Sequence, residues 1–137
     1  MKDRPVVLTV EDDDDDLFLL ERELAKAGAA IGQRVRDGRA AVDYLAGNGV
    51  YGDRVKHPLP EIVFLDLKIP HLGGHGVLAW IRSRPEFARL RVYVLTGSDE
   101  PKDRAQAEAL GATGYFVKPL LAAQIRPLLV SAAVAAV

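Results

Sequence analysis

Residues Ile62–Pro70, with the sequence IVFLDLKIP, carry the pattern that decides the fold. Four apolar residues lead into one carboxylate, Asp66, and Gly73 and Gly74 follow the proline closely. A short apolar run that is bounded by turn residues predicts a strand buried on both faces, in the middle of a parallel sheet. In open α/β sheets ligands bind at the carboxyl ends of the strands, where Asp66 lies. Taken alone, Asp66 could equally be a carboxylate that caps the loop after the strand.

The bulk composition indicates one folded domain over residues 1–137, with no output domain. A chain of 137 residues fits a single domain, and an apolar content of 49% argues against disorder. The absence of cysteine excludes disulfides, cysteine-ligated zinc and thiol catalysis. A net charge of −1 gives no indication of a nucleic-acid partner. We find no signal peptide or membrane span and expect a cytoplasmic protein.

Strand and helix patterns alternate along the chain. The predicted strands are Val6–Val10, Gln33–Asp37, Ile62–Asp66, Arg91–Thr96 and Gly114–Lys118. The predicted helices are Asp15–Ala27, Arg39–Leu45, Gly74–Ser83, Pro101–Leu110 and Leu120–Val137. In the last helix Leu121, Ile125, Leu128 and Ala132 form the inward stripe, and Pro127 should kink the helix or delay its start. This alternation predicts a parallel sheet that is covered by helices on both faces.

The acidic run Glu11–Asp16 follows the first strand directly. A helix begins within this run, and its N-terminus favours negative charge, which accounts for the last three acids. It does not account for Glu11 and Asp12, which precede the helix. With Asp66 they would place three negative charges in one pocket, and a divalent, oxygen-binding cation is the simplest compensation.

Four of the five predicted strands end in a polar group, and in a parallel sheet these ends share one edge. The groups are Glu11, Asp12, Asp66, Thr96 and Lys118. Acids, a hydroxyl and an ammonium around a cation suit phosphoryl transfer, and an aspartate can act as its nucleophile. Gly97 would let a phosphoryl group approach the backbone. Taken alone, Lys118 could simply form an ion pair with Asp66. Thr96, taken alone, could simply be a residue that favours strands.

The sequence, with these polar residues at its strand ends, resembles the receiver domain of response regulators in two-component signalling. The resemblance covers about Val6–Pro119. It is carried by Glu11-Asp12, Asp66 in DLKIP, Gly74, Thr96-Gly97 and the YFVKP segment at residues 115–119. It implies a doubly wound, flavodoxin-like α/β fold with five helices and the strand order 2-1-3-4-5.

The resemblance also implies a role for each residue of the site. Asp66 would accept a phosphoryl group from a histidine of a sensor kinase. Asp12, Asp66 and the backbone carbonyl of Lys68 would bind Mg²⁺ or Mn²⁺, and Glu11 would act through water.

The remaining implied roles concern the phosphoryl oxygens and the partner. Thr96, Gly97 and Lys118 would contact these oxygens. Tyr115 would be the aromatic residue that responds to the movement of Thr96, so that phosphorylation changes the surface of strand 4, helix 4 and strand 5. Leu19, an exposed apolar residue of the first helix, would help dock the kinase.

One subgroup matches more closely, namely the small stand-alone regulators that are paired with bacterial phytochrome kinases. The Glu-Asp pair and the long connection at residues 47–60 carry this likeness. Some members dimerise, and a second apolar stripe of Val130, Val134 and Val137 predicts a homodimer through the C-terminal region.

Two features depart from the family pattern. The last helix begins with Leu120-Leu121 rather than a polar cap. Lys68 lies two residues after the phosphoacceptor, beside the entry of an attacking water, and we expect its side chain to slow hydrolysis of the aspartyl phosphate.

Other functions fit the residues less well. An aspartate-nucleophile phosphatase generally needs a second acid where Lys68 stands, and a flavin carrier would not need three acids. A pseudo-receiver that serves only as an interaction module would not need Thr96 and Lys118. His71 and His75 are separated by Gly73-Gly74, which disfavours a helical metal pair.

Overall fold

The computed structural model describes residues 5–130 and consists of a five-stranded parallel sheet between two layers of helices. The strands are β1 (Val6–Val10), β2 (Ala30–Val35), β3 (Ile62–Asp66), β4 (Arg91–Thr96) and β5 (Gly114–Val117). The α-helices are α1 (Asp14–Ala27), α2 (Gly38–Ala46), α3 (Gly74–Arg82), α4 (Pro101–Ala109) and α5 (Ala122–Ile125). The strand order β2-β1-β3-β4-β5 confirms the doubly wound, flavodoxin-like fold.

Strand β3 lies between β1 and β4 and is buried along its whole length. Successive side chains of a strand point to opposite faces of the sheet. Val63 and Leu65 belong to the apolar layer that includes residues of α2 and α3, whereas Ile62 and Phe64 belong to the layer that includes residues of α1 and α5. Burial on both faces therefore explains the continuous apolar run.

Helix α1 begins and ends within one residue of its predicted bounds. Asp13 is its N-cap, because its carboxylate accepts a hydrogen bond from the backbone N–H of Asp16 at 2.9 Å. Gly28 ends the helix with a φ of 92°, a left-handed conformation that favours glycine. The apolar residues on its buried face are Leu17, Leu20 and Leu24. This packing holds the acidic first turn of α1 beside the carboxyl end of β1.

Strand β2 covers Ala30–Val35, so the prediction of Gln33–Asp37 was wrong in its bounds. Pairing with β1 begins as soon as the turn after α1 is complete, with Ala30 opposite Val6. Asp37 is instead the N-cap of α2. The strand lies at the edge of the sheet, where its polar residues are tolerated.

The C-terminal helix differs most from its prediction over Leu120–Val137. Helix α5 is only four residues long, and a 3₁₀ helix, Arg126–Leu129, follows it directly. Pro127 lies in the first turn of the 3₁₀ helix and lacks the N–H that a continuing α-helix would need. Because α5 begins at Ala122, Leu121 is 50% exposed and not inward, while Leu120 is buried.

The rest of this segment agrees with the prediction as far as it is described. Ile125 and Leu128 pack into the core. Val130 is exposed, whereas Ala132, Val134 and Val137 lie outside the described residues.

The missing polar cap of α5 is supplied from α1. The Glu23 carboxylate accepts a hydrogen bond from the backbone N–H of Ala122 at 2.9 Å. The side-chain oxygen of Gln124 accepts one from the N–H of Leu121 at 2.9 Å. The bond from Ala122 favours the ionised carboxylate and so lowers the pKa of Glu23. These bonds satisfy two N–H groups that a helix start leaves free.

The long connection at residues 47–60 folds against α2. It contains a 3₁₀ helix, Gly49–Gly52. The guanidinium of Arg54 donates to the backbone oxygens of Tyr44 and Leu45 at 2.8 and 2.9 Å, and to that of His57 at 3.2 Å. Carbonyls in the last turn of a helix lack partners within the helix, so Arg54 caps the C-terminus of α2.

Candidate phosphoacceptor site

The carboxyl ends of β1, β3, β4 and β5 meet at one edge of the sheet. The register places Val10 opposite Leu65, Asp66 opposite Leu95, and Thr96 opposite Val117. Five polar residues therefore lie at or just beyond aligned strand ends, namely Glu11, Asp12, Asp66, Thr96 and Lys118. The predicted convergence is confirmed.

Glu11, Asp12 and Asp66 form a group that we call the acidic cluster. One carboxylate oxygen of each residue lies within 4.8 Å of the others. Glu11 and Asp66 are buried, whereas Asp12 is exposed, which leaves the cluster open to solvent on one side. Two oxygens that bind one Mg²⁺ at about 2.1 Å can be up to about 4.2 Å apart, so the cluster has nearly the size that coordination needs.

Gly74 begins α3 directly against the backbone of Asp66. A Cβ atom at this position would lie 2.7 Å from the backbone oxygen of Asp66 and 2.6 Å from the Cα of Leu67. Backbone atoms cannot move aside as the end of a flexible side chain can, so only glycine fits here. The N–H of Gly74 also donates to the backbone oxygen of Leu67 at 2.9 Å, which closes the loop that carries Lys68. The side chain of Lys68 itself is exposed.

Lys118 places its ammonium among three carboxylates. Its Nζ atom lies 2.8 Å from Glu11 Oε1, 2.9 Å from Asp16 Oδ2 and 3.4 Å from Asp66 Oδ2. The lysine side chain is 18% exposed, so these contacts are only partly screened by water. The ion pair with Asp66 is present, but it is the longest of the three.

The partners of Lys118 shift the pKa values within the site. Burial alone would lower the pKa of Lys118, but the hydrogen bonds to Glu11 and Asp16 and the charge of Asp66 outweigh it and raise the pKa well above its usual range. Burial raises the pKa of Glu11, and the charge of Asp66 adds to this rise, while the hydrogen bond from Lys118 opposes it. Lys118 therefore remains charged and compensates the buried acids.

Asp16 was missed as a site residue, because the N-terminus of α1 accounted for its charge. Its contact with Lys118 joins residues 102 positions apart, so no local pattern could reveal it. Arg36 was missed for the same reason. It donates to the backbone oxygen of Asp12 at 2.8 Å and to the carboxylate of Asp14 at 2.6 Å. Arg36 thereby holds the end of β1 beside the acidic cluster.

Thr96 and Tyr115, which the family resemblance links in one switch, lie side by side. Thr96 is buried at the end of β4, and its hydroxyl oxygen accepts a hydrogen bond from the N–H of Ser98 at 3.3 Å. Tyr115 is also buried, with the guanidinium of Arg104 4.7 Å from its ring centroid. Burial raises the pKa of the Tyr115 phenol, although a hydrogen bond with Thr96 acts to lower it. Gly97 is exposed, and the space where its Cβ would lie is open.

An apolar groove of about 370 Å³ leads away from the site between α1 and the segment after β5. Lys118 and Asp16 lie in its wall, and Leu19 and Leu121 line its apolar part. Leu19 is 38% exposed, which agrees with the exposed position expected for it. Phe18, its neighbour on α1, is 65% exposed and was not singled out from the sequence.

Known proteins share this arrangement of strands. Residues 7–129 match the family model described as the response regulator receiver domain. The chain belongs to this family. Receivers are signalling domains, and the resemblance inferred from the sequence is therefore confirmed. Within residues 5–130, no helix of this receiver is long and apolar enough to span a membrane.

Two response regulators are similar to this receiver. The response regulator Rcp1 from Synechocystis is 34% identical over 115 residues, which are 82% of this chain and 76% of Rcp1. The response regulator RPA3017 in red light signaling of R. palustris is 35% identical, with a TM-score of 0.79 over 90% of each chain.

Two further solved structures carry a metal or a phosphoryl group. The Mn²⁺-bound form of Rcp1 is 30% identical, with a TM-score of 0.76 over 91% of this chain and 88% of that chain. The phosphorylated cyanobacterial phytochrome response regulator RcpA is 30% identical, with a TM-score of 0.77 over 92% of this chain and 89% of that chain. The likeness extends over the whole sheet.

Proposed function

We propose that this receiver accepts a phosphoryl group on Asp66 from a histidine of a sensor kinase, in a reaction that needs Mg²⁺ or Mn²⁺. The observation that carries the proposal is the placement of Lys118 between Glu11 and Asp66, beside three acids whose oxygens lie within 4.8 Å of one another. An ammonium next to a buried carboxylate and a cation-sized acidic cluster is the charge arrangement that phosphoryl transfer to an aspartate requires.

The chemistry follows from the positions of the side chains. A carboxylate oxygen of Asp66 forms a bond to phosphorus while the bond from phosphorus to the donor's imidazole nitrogen breaks. Lys118 then pairs with the phosphoryl oxygens and Thr96 donates a hydrogen bond to them, while the open space at Gly97 admits the group.

The acidic cluster fits a divalent cation by its donors and its size. Asp12, Asp66 and the backbone carbonyl of Lys68 would hold the ion, with Glu11 acting through water. When bound, it would neutralise negative charge on the transferred oxygens. The Mn²⁺-bound structure of Rcp1 and the phosphorylated structure of RcpA support both parts of this proposal.

The intact mass of the protein after incubation with acetyl phosphate and Mg²⁺ would test whether it is phosphorylated. We expect one phosphoryl adduct, and no adduct with EDTA or in Asp66→Asn. Asp99→Asn, which removes an exposed acid from the loop after β4, is the matched control and should still be loaded. If Asp66→Asn is loaded like the parent protein, Asp66 is not the acceptor. If neither acetyl phosphate nor beryllofluoride acts on the parent, the chain serves only as an interaction module.

Phosphorylation is proposed to change the surface formed by β4, α4 and β5. Thr96 interacts with Tyr115 and would also contact the phosphoryl group, so a movement of Thr96 would alter the packing of the tyrosine ring. The ring is already buried in this structure, and the change we expect is in its contacts with Ser98 and Arg104. NMR spectra with beryllofluoride should show shifts in α4 and β5 that are lost in Thr96→Ala. Shifts of equal size in Thr96→Ala would refute this coupling.

The partner is proposed to be a bacterial phytochrome histidine kinase that docks on α1. Leu19 and Phe18 are both exposed on α1, and Leu19 lines the groove that leads to Lys118. Leu19→Asp should slow phosphotransfer from such a kinase but leave loading by acetyl phosphate unchanged. Leu59→Asp is the matched control, since Leu59 is 50% exposed and precedes β3 at the opposite edge of the sheet. Equal effects of the two variants would refute docking at Leu19.

A homodimer through the C-terminal region is proposed as the assembly. Leu121 and Val130 are 50% and 43% exposed at the end of the described chain, and exposed apolar groups of this kind favour association. Sedimentation should show a dimer that Leu121→Glu weakens. A monomer at high concentration, with and without phosphorylation, would contradict the proposal.

A further inference from the structure

Asp16 competes with Asp66 for the same ammonium. Its carboxylate lies 2.9 Å from Lys118 Nζ, whereas that of Asp66 lies 3.4 Å away. Glu11, at 2.8 Å, is the third partner. An ammonium has three protons to donate. Lys118 donates hydrogen bonds to Glu11 and Asp16, whereas its contact with Asp66 is an ion pair at 3.4 Å. A phosphoryl group on Asp66 would therefore compete for Lys118 with two carboxylates that already accept its hydrogen bonds.

Asp16 is the partner that opposes this movement from the outside of the site. Its side chain is 40% exposed, while that of Glu11 is 2% exposed and lies within the acidic cluster. Asp16 belongs to α1 and Asp66 to β3, so the two acids attract Lys118 from different elements. The shorter distance to Asp16 shows that the ammonium is held towards α1.

Loss of Asp16 would not leave Lys118 without an anchor. The contact with the buried Glu11 carboxylate would remain and would keep the ammonium in the site. The general preference for acids at the N-terminus of α1 does not explain this contact. Asp15 shares that turn, but its exposed side chain makes no hydrogen bond or ion pair within residues 5–130. The contact with Lys118 is thus specific to the position of Asp16.

We propose that Asp16 is a positioning residue that competes with the incoming phosphoryl group for the Lys118 ammonium and thereby slows the loading of Asp66. The proposal rests on the proposed function, since it concerns the rate of that same reaction. Asp16 does not touch the reacting atoms and acts only through Lys118.

The test compares the rate of adduct formation in Asp16→Asn and Asp15→Asn at low acetyl phosphate with Mg²⁺. Both variants remove one charge from the first turn of α1, but only the first releases Lys118. We expect Asp16→Asn to load roughly twofold to fivefold faster than Asp15→Asn, the range typical of a partly exposed ion pair. An equal or slower rate would overturn the proposal, because a slower rate would make Asp16 a necessary anchor.

A double-mutant cycle separates this role from a structural one. In a Lys118→Ala background, Asp16→Asn and Asp15→Asn should load at equal rates, since the group through which Asp16 acts is gone. A persistent advantage of Asp16→Asn there would refute the competition for Lys118. If the parent protein forms no Mg²⁺-dependent adduct, the proposed function itself fails. If the parent is loaded and Asp16→Asn matches Asp15→Asn, only the role of Asp16 fails.

Discussion

Replacement of Lys118 by methionine removes the charge that compensates two buried carboxylates, and we predict a large loss of stability without metal. At 2.8 Å from Glu11 and 3.4 Å from Asp66, the attractions are roughly 6 and 5 kcal/mol at an effective dielectric constant of about 20. Desolvation of the ammonium offsets several kcal/mol of this, and removal of one partner from a buried pair typically costs about 3–5 kcal/mol. The contact with Asp16, which is 40% exposed, adds less than about 1 kcal/mol. We therefore expect a loss of about 3 kcal/mol at neutral pH.

The loss should depend on pH in a direction that the pKa shifts determine. The pKa of Lys118 is raised, so its contribution is fully present below the ordinary value of 10.5 and disappears as the pH rises through the raised pKa. In Lys118→Met, the Glu11 carboxyl loses the hydrogen bond that opposes the rise of its pKa. Because the pKa of Glu11 is raised, its protonation should then restore part of the lost stability as the pH falls below neutral.

Urea denaturation with and without Mg²⁺ measures these effects. For a domain of this size a loss of about 3 kcal/mol moves the midpoint by roughly 1–3 M urea. Lys102→Met, which removes an exposed lysine from α4, is the control and should change stability by less than about 0.5 kcal/mol. Mg²⁺ and the added substitution Glu11→Gln should each restore part of the loss. A loss below about 1 kcal/mol, or no recovery with Glu11→Gln, would refute the compensating role of Lys118.

Four further predictions address the metal, the loop after β3, the rate of hydrolysis and the cap of α5. Mg²⁺ at ten times its Kd should raise the free energy of unfolding by about 1.4 kcal/mol, and EDTA or Asp12→Asn should abolish the rise; an unchanged Tm would exclude the metal site. Gly74→Ala should lower the free energy of unfolding by roughly 1–3 kcal/mol and weaken Mg²⁺ binding, because the added Cβ would meet the backbone of Asp66. An unchanged affinity for Mg²⁺ would show that the loop adapts to the added Cβ. Lys68→Asn should shorten the lifetime of the aspartyl phosphate, measured by the decay of the adduct, and an unchanged rate would contradict shielding by Lys68. Glu23→Ala should lower the free energy of unfolding at neutral pH. This loss should shrink as the pH falls below 4.5, the ordinary pKa of a glutamate, because a lowered pKa means that Glu23 stabilises the fold only while it is ionised. A loss that does not change with pH would contradict the role of Glu23 as the cap of α5.

The fold and the main site residues could be predicted because their signals are local. The run Ile62–Asp66 is apolar on both faces, which indicates a central parallel strand, and the residue that ends it must lie at the ligand-binding edge. Parallel alignment then brings Thr96 and Lys118 to the same edge without further information.

The contacts that were missed join distant parts of the chain. Lys118 meets Asp16 across 102 positions, and Ala122 meets Glu23 across 99 positions, so the spacing of residues within one element contains no trace of either. The bounds of β2 were missed because pairing with β1 overrides the weak strand pattern of its own residues. Helix α5 ends early because a single proline prevails over the apolar periodicity around it.

The identity of the acceptor is tested most directly by chemical trapping of the phosphorylated residue. Borohydride reduces an aspartyl phosphate to homoserine, and peptide mapping then locates the change in the chain. We predict homoserine at position 66 only when acetyl phosphate and Mg²⁺ have both been present. Homoserine at Asp12 or Asp16, or an adduct that yields none, would contradict the assignment of Asp66 as the phosphoacceptor.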